Sequence, residues 1–335
     1  MVPALAVADV LRAEGAEVIW AGGERAEAEL VPAAGYPFHR LRVEGVSRSN
    51  PLRGARALGR AGAATFTARR LVAGLRPAAV LGGGGYVAAP VGVAAVLGHV
   101  HLVLTEADSH LGLANRLLAP FARRVCLAFP LPGREGGRYL VTGRPAPVAH
   151  TDRASARAAF GLGADEPCVL VFGGSLGARS LNWVAPQAFA RPPPRVIHAA
   201  GERDFPELRA PGPHYDLRAY ISPFGPALAA CDLVVARAGG SLFEVAAHGR
   251  PAVLVPYPHA TADHQASNAQ WMQRGGAAVV IPDAELDPGR LRAEVDRLLG
   301  DPVRLAAMAA ASLALARPDA ARAVAAEVLA AAGAR

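Results

Sequence analysis

A chain of 335 residues with 36 glycines and 28 prolines has the length for two α/β domains, each closing its own core across many short turns. Its formal charge of +7 is carried by arginine alone, for no lysine occurs, and favours anionic partners such as diphosphates or acidic lipid headgroups. No basic run interleaves with aromatics, which argues against nucleic acid, and Cys126, Cys168 and Cys231 each sit in or beside an apolar run, which excludes a disulfide framework and a metal knuckle.

Pro3 to Glu14 predicts a helix, with proline near its first turn and Gly15 past its end. Met1 to Val10 has no cationic lead and is broken by Asp9, so it is not read as a signal peptide. Val18–Ala21 predicts a strand, Glu24–Ala34 a helix after Gly22 and Gly23, and Phe38–Val43 a second strand. Pro51 to Leu75 is mostly helical and carries Arg53, Arg56, Arg60, Arg69 and Arg70 with Leu58, Phe66 and Leu71 between them. Such an element is an ordinary amphipathic surface helix or a face resting on an anionic bilayer.

Ala79–Leu81 predicts a strand that runs into four glycines and Tyr86, followed by a helix over Ala89–Leu97. Val100–Leu104 is the next strand, and Thr105, Glu106 and Asp108 stand at its carboxyl end, where open α/β sheets bind ligands. Ala78 to Leu104 is uncharged, yet its glycines, Pro90 and two histidines read as strand, turn, helix and strand rather than as a membrane span. Leu111–Ala119 predicts a helix bearing Asn115, and Val125–Ala128 a strand. A Pro- and Gly-rich stretch, 129–137, and the segment Val141–Pro147 then mark a hinge. The expected domains are therefore 1–147 and 148–317, with a helix at about 318–333 packing back on the first.

In the second domain, strands are expected at Cys168–Phe172, Val196–Ala199, Leu217–Ile221, Leu233–Ala236, Ala252–Val255 and Ala278–Ile281, with helices between and after them. Cys168–Phe172 is wholly apolar, the form of a strand buried on both faces of a parallel sheet. Gly173, Gly174, Ser175 and Gly177 follow at once, and a helix over Ala178–Phe189 comes next. Strand, glycine turn and helix start bring free N–H groups and a positive dipole end to one point, which suits a phosphate; alone, such a loop can equally be a tight turn without a ligand. A second glycine turn at Arg237-Ala-Gly-Gly-Ser-Leu-Phe-Glu244 offers a close backbone approach and a carboxylate one turn into its helix, suited to two vicinal ribose hydroxyls. His259-Ala-Thr-Ala-Asp-His-Gln-Ala-Ser-Asn268 is a polar cluster suited to hexose hydroxyls; His259, Asp263 and His264 lack a third neutral ligand, so neither metal nor cofactor is expected.

Gly-Gly-Tyr at 84–86, Gly-Gly-Ser-x-Gly-Ala-Arg at 173–179, Arg-Ala-Gly-Gly…Glu at 237–244 and Asp-His-Gln-x-x-Asn-Ala at 263–269, in this order, resemble the MurG-type N-acetylglucosaminyltransferases of peptidoglycan synthesis over nearly the whole chain. The resemblance implies the GT-B arrangement, two Rossmann-like domains facing across a cleft, and conversion of lipid I to lipid II with UDP-GlcNAc as donor at the cytoplasmic face of an anionic membrane. It further implies that Ser175, Gly174 and Gly177 bind the UDP phosphates, that Ile221 lies along the uracil, and that Glu244 holds the ribose. Gly240, Ser241 and Leu242 would give backbone contacts, and Gln265 with His264 would bind GlcNAc hydroxyls. Gly84, Gly85 and Tyr86 would help hold the acceptor diphosphate, Glu106 and Asn115 match polar positions of the family's cleft, and Glu106 or Asp108 would substitute as catalytic base where the family's own is absent. The implied reaction is an inverting attack of the acceptor C4 hydroxyl on the anomeric carbon.

The chain departs from that family at its start. Family members open with a strand and a Gly-Gly-Thr-Gly-Gly-His loop ahead of the Pro-Ala-Leu helix, whereas this sequence begins at Met1-Val2-Pro3. The first domain is therefore expected to miss its first strand and the loop histidine favoured as base, and Met1 is expected to be an internal methionine of a longer product. Asp108 stands where the family usually has Asn, and Pro147 where some members place an Arg. Two other readings share these features: a different GT-B UDP-sugar transferase, and a non-catalytic nucleotide-sugar-binding remnant.

Overall fold

The computed structural model describes residues 2–41, 51–174 and 177–334, apart from the side chains of residues 2, 51–61, 86 and 261. It divides into two units, residues 1–146 with 317–335, and residues 147–316.

The first unit opens with α1 (Val2–Ala13), β1 (Trp20–Gly22), α2 (Glu27–Ala33), β2 (Phe38–Arg40) and α3 (Pro51–Leu75). It continues with β3 (Ala79–Gly82), α4 (Gly85–Leu97), β4 (His101–Glu106), α5 (Leu113–Leu118), β5 (Arg124–Leu127) and β6 (Tyr139–Val141). Every ladder is parallel, but the strands fall into two sheets, β1-β2 and β3-β4-β5-β6. Among the described residues no ladder joins β1 to β3, so the doubly wound sheet is interrupted where its first strand was expected to be missing. Beside that interruption the Trp20 Nε1 is buried without a hydrogen-bond partner among the described residues.

Several boundaries differ from expectation. The helix after β3 begins at Gly85, so Gly85 and Tyr86 belong to its first turn, four residues ahead of the expected Ala89. Pro90 is accommodated inside it. Glu106 is the last residue of β4 and not a loop residue beyond it. β6 was not expected at all, and residues 42 and 43 of the expected second strand lie outside the described residues.

The last helix, α13 (Ala320–Ala332), belongs to this unit; the helices between β6 and α13, numbered α6 to α12, belong to the second. It buries Val324, Ala325, Val328 and Ala331 against Val7 and Leu11 of α1 and against Val103 and Cys126 of the sheet. Burial of the two valines alone is worth about 3 kcal/mol. A His101 ring nitrogen pairs with the Ala331 carbonyl (2.7 Å), and Arg124 pairs with Glu327 (2.8 Å).

The second unit runs α6 (Arg153–Ala159), β7 (Cys168–Phe172), α7 (Arg179–Ala188), β8 (Arg195–Ala199), β9 (Tyr215–Arg218), α8 (Gly225–Ala230) and β10 (Leu233–Ala236). It then adds α9 (Leu242–Ala247), β11 (Ala252–Leu254), α10 (His264–Arg274), β12 (Ala278–Val280), α11 (Pro288–Leu299) and α12 (Pro302–Leu315). The six parallel strands are ordered β12-β11-β10-β7-β8-β9. Chain order reverses between β7 and β10, which makes their carboxyl ends the switch point where such sheets take ligands. All five residues of β7 are buried, between one apolar layer around Leu170, Phe172 and Leu242 and another around Val169, Val171 and Leu181. β9 lies at 215–218 rather than 217–221, because its ladder follows Val196–Ala199 and leaves Ile221 in the following loop.

The three cysteines are buried and unbridged, and loss of hydration pushes the Cys126 and Cys231 thiols up to about 12. Such thiols are inert apolar filling. Arginine also serves inside the unit. Arg153 donates to the Ala229 and Cys231 carbonyls, Arg157 to Ala230 and Arg250 to Cys231, so three guanidinium groups close the negative end of α8.

Candidate active site

Because β7 and β10 are neighbours and β11 flanks β10, the loops after these three strands stand side by side at one sheet edge. Gly174 and Gly177 are both there, in left-handed backbone (φ +87° and +73°). Ser175 lies outside the described residues. A Cβ on Gly177 would overlap the Ala200 carbonyl oxygen, so this position needs glycine for space as well as for φ.

A buried polar network floors this loop. Asn182 on α7 donates to the Ala200 carbonyl (2.8 Å) and to Asp204 (2.9 Å), and its Oδ1 pairs with His198 Nε2 (3.1 Å). His198 Nδ1 in turn pairs with the Tyr215 hydroxyl (2.8 Å), which can donate to a neutral ring that carries its proton on Nε2. Burial lowers its pKa to about 4. Hydrogen bonds from Arg203 hold the Asp204 carboxyl below its usual range.

The loop after β10 is fastened by Arg237, which is buried. It donates to the Val255 carbonyl (2.9 Å), to Asp283 (2.6 Å) and to Ser180 (2.8 Å), whose hydroxyl also donates to Asp283 (2.7 Å). Its guanidinium lies 5.4 Å from the Tyr257 ring centre. Gly240 and Ser241 lead into α9, whose first N–H groups, those of Leu242 and Phe243, turn back to the Gly239 and Gly240 carbonyls (3.3 and 3.5 Å). The Leu242 side chain is fully buried, so only its backbone is available to a ligand. Glu244 is half-buried in the first turn. Ile221 joins the core around Phe172, and Phe224 packs edge-on to Phe172 (4.9 Å), bringing this loop to the end of β7.

After β11, Ala262 and Asp263 both take left-handed backbone (φ 53° each). Two adjacent non-glycine residues in this region store roughly 1–2 kcal/mol apiece, and such strain gathers where a loop must present its side chains in one way. His264 and Gln265 open α10, and Gln265 Oε1 accepts from the Tyr257 N–H (3.0 Å). Asn268, one turn on, is buried and donates to the Ala238 carbonyl (3.0 Å), locking α10 to the loop after β10.

In the first unit the adjacent ends of β3 and β4 form a second cluster. Gly84 (φ +78°) and Gly85 (φ +74°) turn the chain into α4, and a Cβ on Gly84 would stand 3.4 Å from Asn115 Nδ2. Tyr86 is in the first helical turn; its side chain lies outside the described residues. Glu106 is buried and accepts from the Gly112 N–H (2.8 Å), Asn115 Nδ2 (2.9 Å) and the Asp108 N–H (3.3 Å). Its carboxylate is thus committed to holding the 107–112 loop, while Asp108 is half-buried in that loop.

Each unit therefore gathers its own expected residues: Gly84, Gly85, Glu106, Asp108 and Asn115 in one, and Gly174, Gly177, Ile221, Gly240, Ser241, Leu242, Glu244, His264 and Gln265 in the other. The bracing groups Asn182, His198, Asp204, Ser180 and Asp283 were not anticipated, and Arg237 had been read only as part of a motif. Parallel strands ending in glycine turns and helix starts can bind phosphate through backbone N–H groups without a metal.

Residues 1–127 match the glycosyltransferase family 28 N-terminal domain, and residues 168–324 match the family 28 C-terminal domain. Fold and site together define the class, a glycosyltransferase of the GT-B fold. A relative from Rubrobacter xylanophilus, named UDP-N-acetylglucosamine–N-acetylmuramyl-(pentapeptide) pyrophosphoryl-undecaprenol N-acetylglucosamine transferase, is 41% identical over 97% of this chain and 98% of its own. One of the same name from Alkalilimnicola ehrlichii is 44% identical over 96% of this chain and 93% of its own. The crystal structure of Acinetobacter baumannii MurG superposes with a TM-score of 0.80 at 30% identity, covering 98% of this chain and 95% of that one. The calicheamicin glycosyltransferase CalG4, at 20% identity and a TM-score of 0.69, shares the fold. The chain belongs to glycosyltransferase family 28 and, within it, to the MurG family of N-acetylglucosamine transferases.

Proposed function

We propose that this chain transfers N-acetylglucosamine from UDP-N-acetylglucosamine to the C4 hydroxyl of the N-acetylmuramyl sugar of lipid I, producing lipid II and UDP. The observation that carries this reading is the joining of three polar loops at the β7/β10 switch point, within a chain that matches a relative named for this transfer over 97% of its length.

In this reading the second unit holds the donor. Backbone N–H groups at Gly174, Ser175, Gly240 and Ser241 take the diphosphate, while the N–H groups of Gly177 and Leu242 close the two turns on the Gly174 and Gly239 carbonyls. Glu244 takes the ribose hydroxyls, the Ile221 backbone reads the uracil edge, and His264 and Gln265 hold the sugar. The first unit holds the acceptor diphosphate through Gly84, Gly85 and Tyr86, with Asn115 and Glu106 shaping the pocket. The acceptor oxygen forms a bond to the anomeric carbon as the bond to the UDP oxygen breaks, with inversion through an oxocarbenium-like state. Helix N-termini stabilise the departing diphosphate. The hydroxyl proton needs a base; Glu106 is committed to its loop, which leaves Asp108 as the carboxylate for that role in the same segment.

The lipid acceptor calls for a membrane face, and exposed side chains of the first unit support placing it there. No described helix is long and apolar enough to cross a bilayer. α5 and the turn after it expose Leu113, Leu117 (63%) and Phe121 (64%) beside Arg116, and α3 exposes Phe66 with Arg69 and Arg70. Large exposed apolar side chains interleaved with arginine suit peripheral contact with an anionic cytoplasmic leaflet.

Calorimetry with UDP-GlcNAc, run beside turnover of a lipid I analogue, tests the assignment. A Ser175→Ala, Glu244→Ala double variant should bind the donor at least tenfold more weakly, the order expected for loss of a charged hydrogen bond. Unchanged affinity in that variant refutes the placement of the donor.

A further inference from the structure

His248 is the residue immediately after α9, and its ring bridges two backbone groups. Its Nδ1 pairs with the Glu244 carbonyl one turn back on the same helix (2.8 Å), and its Nε2 with the His150 N–H (2.9 Å), 98 positions away. A carbonyl can only accept and an N–H only donate, so the ring is neutral and carries its proton on Nδ1. A third segment meets it there. A Cβ built on Gly225, the first residue of α8, would lie 3.3 Å from His150 Cβ and 3.7 Å from His248 Nε2. One imidazole thus joins the segment that opens the second unit to the helix that carries Glu244, and Gly225, the residue after Phe224, packs close beside the pair.

We propose that His248 is a positioning residue for the nucleotide sugar: its neutral ring holds the Glu244 turn of α9 at a fixed spacing from residues 221–225, and its protonation loosens donor binding. This rests on the donor reading above. The ribose carboxylate and the base-reading backbone lie on separate segments, and a dinucleotide-sized ligand that touches both needs their spacing held. The groups facing the ring are few. His150 lies on the opening segment, Arg250 two residues downstream and Glu244 one turn upstream. α8 presents Gly225, and α12 presents Ser312, which donates to the Arg250 carbonyl (2.9 Å), and Leu313 against Gly249. Burial is the chief cause that holds the ring below its usual pKa; Arg250 and His150 act in the same direction, and the bond to Glu244 opposes them. The neutral form therefore persists somewhat below pH 6.5 and is lost as the pH falls further. A proton on Nε2 would set donor against donor at the His150 N–H and open the bridge.

The test is calorimetric binding of UDP-GlcNAc to the full chain between pH 8 and 5, with KM and kcat, for the parent, His248→Asn and His248→Gln. Asn can still donate toward Glu244 but is too short to reach the His150 N–H; Gln reaches it and does not titrate. Loss of one such hydrogen bond corresponds to about a fivefold change. The parent should lose about fivefold in donor affinity toward pH 5. His248→Gln should keep the pH 8 affinity within about twofold and lose the pH dependence, and His248→Asn should raise donor KM about fivefold at every pH with kcat little changed. If both variants match the parent at every pH, or if the low-pH loss persists in His248→Gln, the role of His248 is refuted. A parent that fails to bind UDP-GlcNAc at pH 8 refutes the donor reading itself, and this inference with it.

Discussion

Protonating His198 should destabilise the floor of the glycine loop, and the effect can be sized. The ring is buried, with Nε2 donating to Asn182 and Nδ1 paired with the Tyr215 hydroxyl, so a second proton would place a charge where water is excluded. Burial takes its pKa from 6.5 to about 4. In the unfolded chain the same ring takes up its proton near 6.5, so between these values the unfolded state binds more protons. The stability is fully present above pH 6.5 and drains away as the pH falls toward 4. At about 1.4 kcal/mol for each pH unit, the gap is worth about 3 kcal/mol. For a unit of this size that corresponds to a fall in Tm of roughly 6–12 °C. Calorimetric melting of the full chain at pH 7, 6, 5 and 4.5, for the parent and His198→Gln, isolates the contribution as the difference between two pH slopes. The parent should fall the more steeply. Parallel slopes would show that the ring does not stay neutral where the structure has it, and the reasoning would be wrong.

Gly177→Ala should abolish UDP-GlcNAc binding in calorimetry and lower Tm, since the new Cβ meets the Ala200 carbonyl oxygen in left-handed backbone. Arg237→Leu should destabilise the second unit by about 1–3 kcal/mol in denaturant unfolding, because it leaves Asp283 with Ser180 alone and removes the guanidinium donor from the Val255 carbonyl. A Leu117→Ser, Phe121→Ser variant should keep its melting temperature within a few degrees and lose most of its sedimentation with vesicles of anionic lipid, since both side chains are well exposed.

The second unit was legible where burial alone sets the pattern. Cys168–Phe172 and Leu233–Ala236 are the central strands of a parallel sheet, covered on both faces, and an uninterrupted apolar run between glycine turns has few other uses. Edges were harder. Tyr139–Val141 is a three-residue edge strand behind a Pro- and Gly-rich loop, and it owes its existence to a ladder with β5 that no local pattern announces. At β9 the stretch 217–221 misled, because pairing with β8 sets the strand and ends it at Arg218. The glycine loops of the site declared themselves through chain chemistry. Their braces did not, because Arg237 finds Ser180 from 57 positions away, Asn182 finds Asp204 from 22, and His248 finds His150 from 98. Hydrogen bonds of that range are properties of topology, and single polar residues carry no periodicity to betray them.

The placement of α13 has a bearing on how the protein is made. Helix 320–332 completes the layer over α1, Val103 and Cys126, yet it leaves the ribosome only after all of residues 147–316. The sheet synthesised first must therefore wait with one apolar flank uncovered while the later unit emerges and closes. Nascent chains usually mature from the amino end; here the earlier-born half finishes last, and the interval exposes a surface on which chaperones, or neighbouring nascent copies, can act.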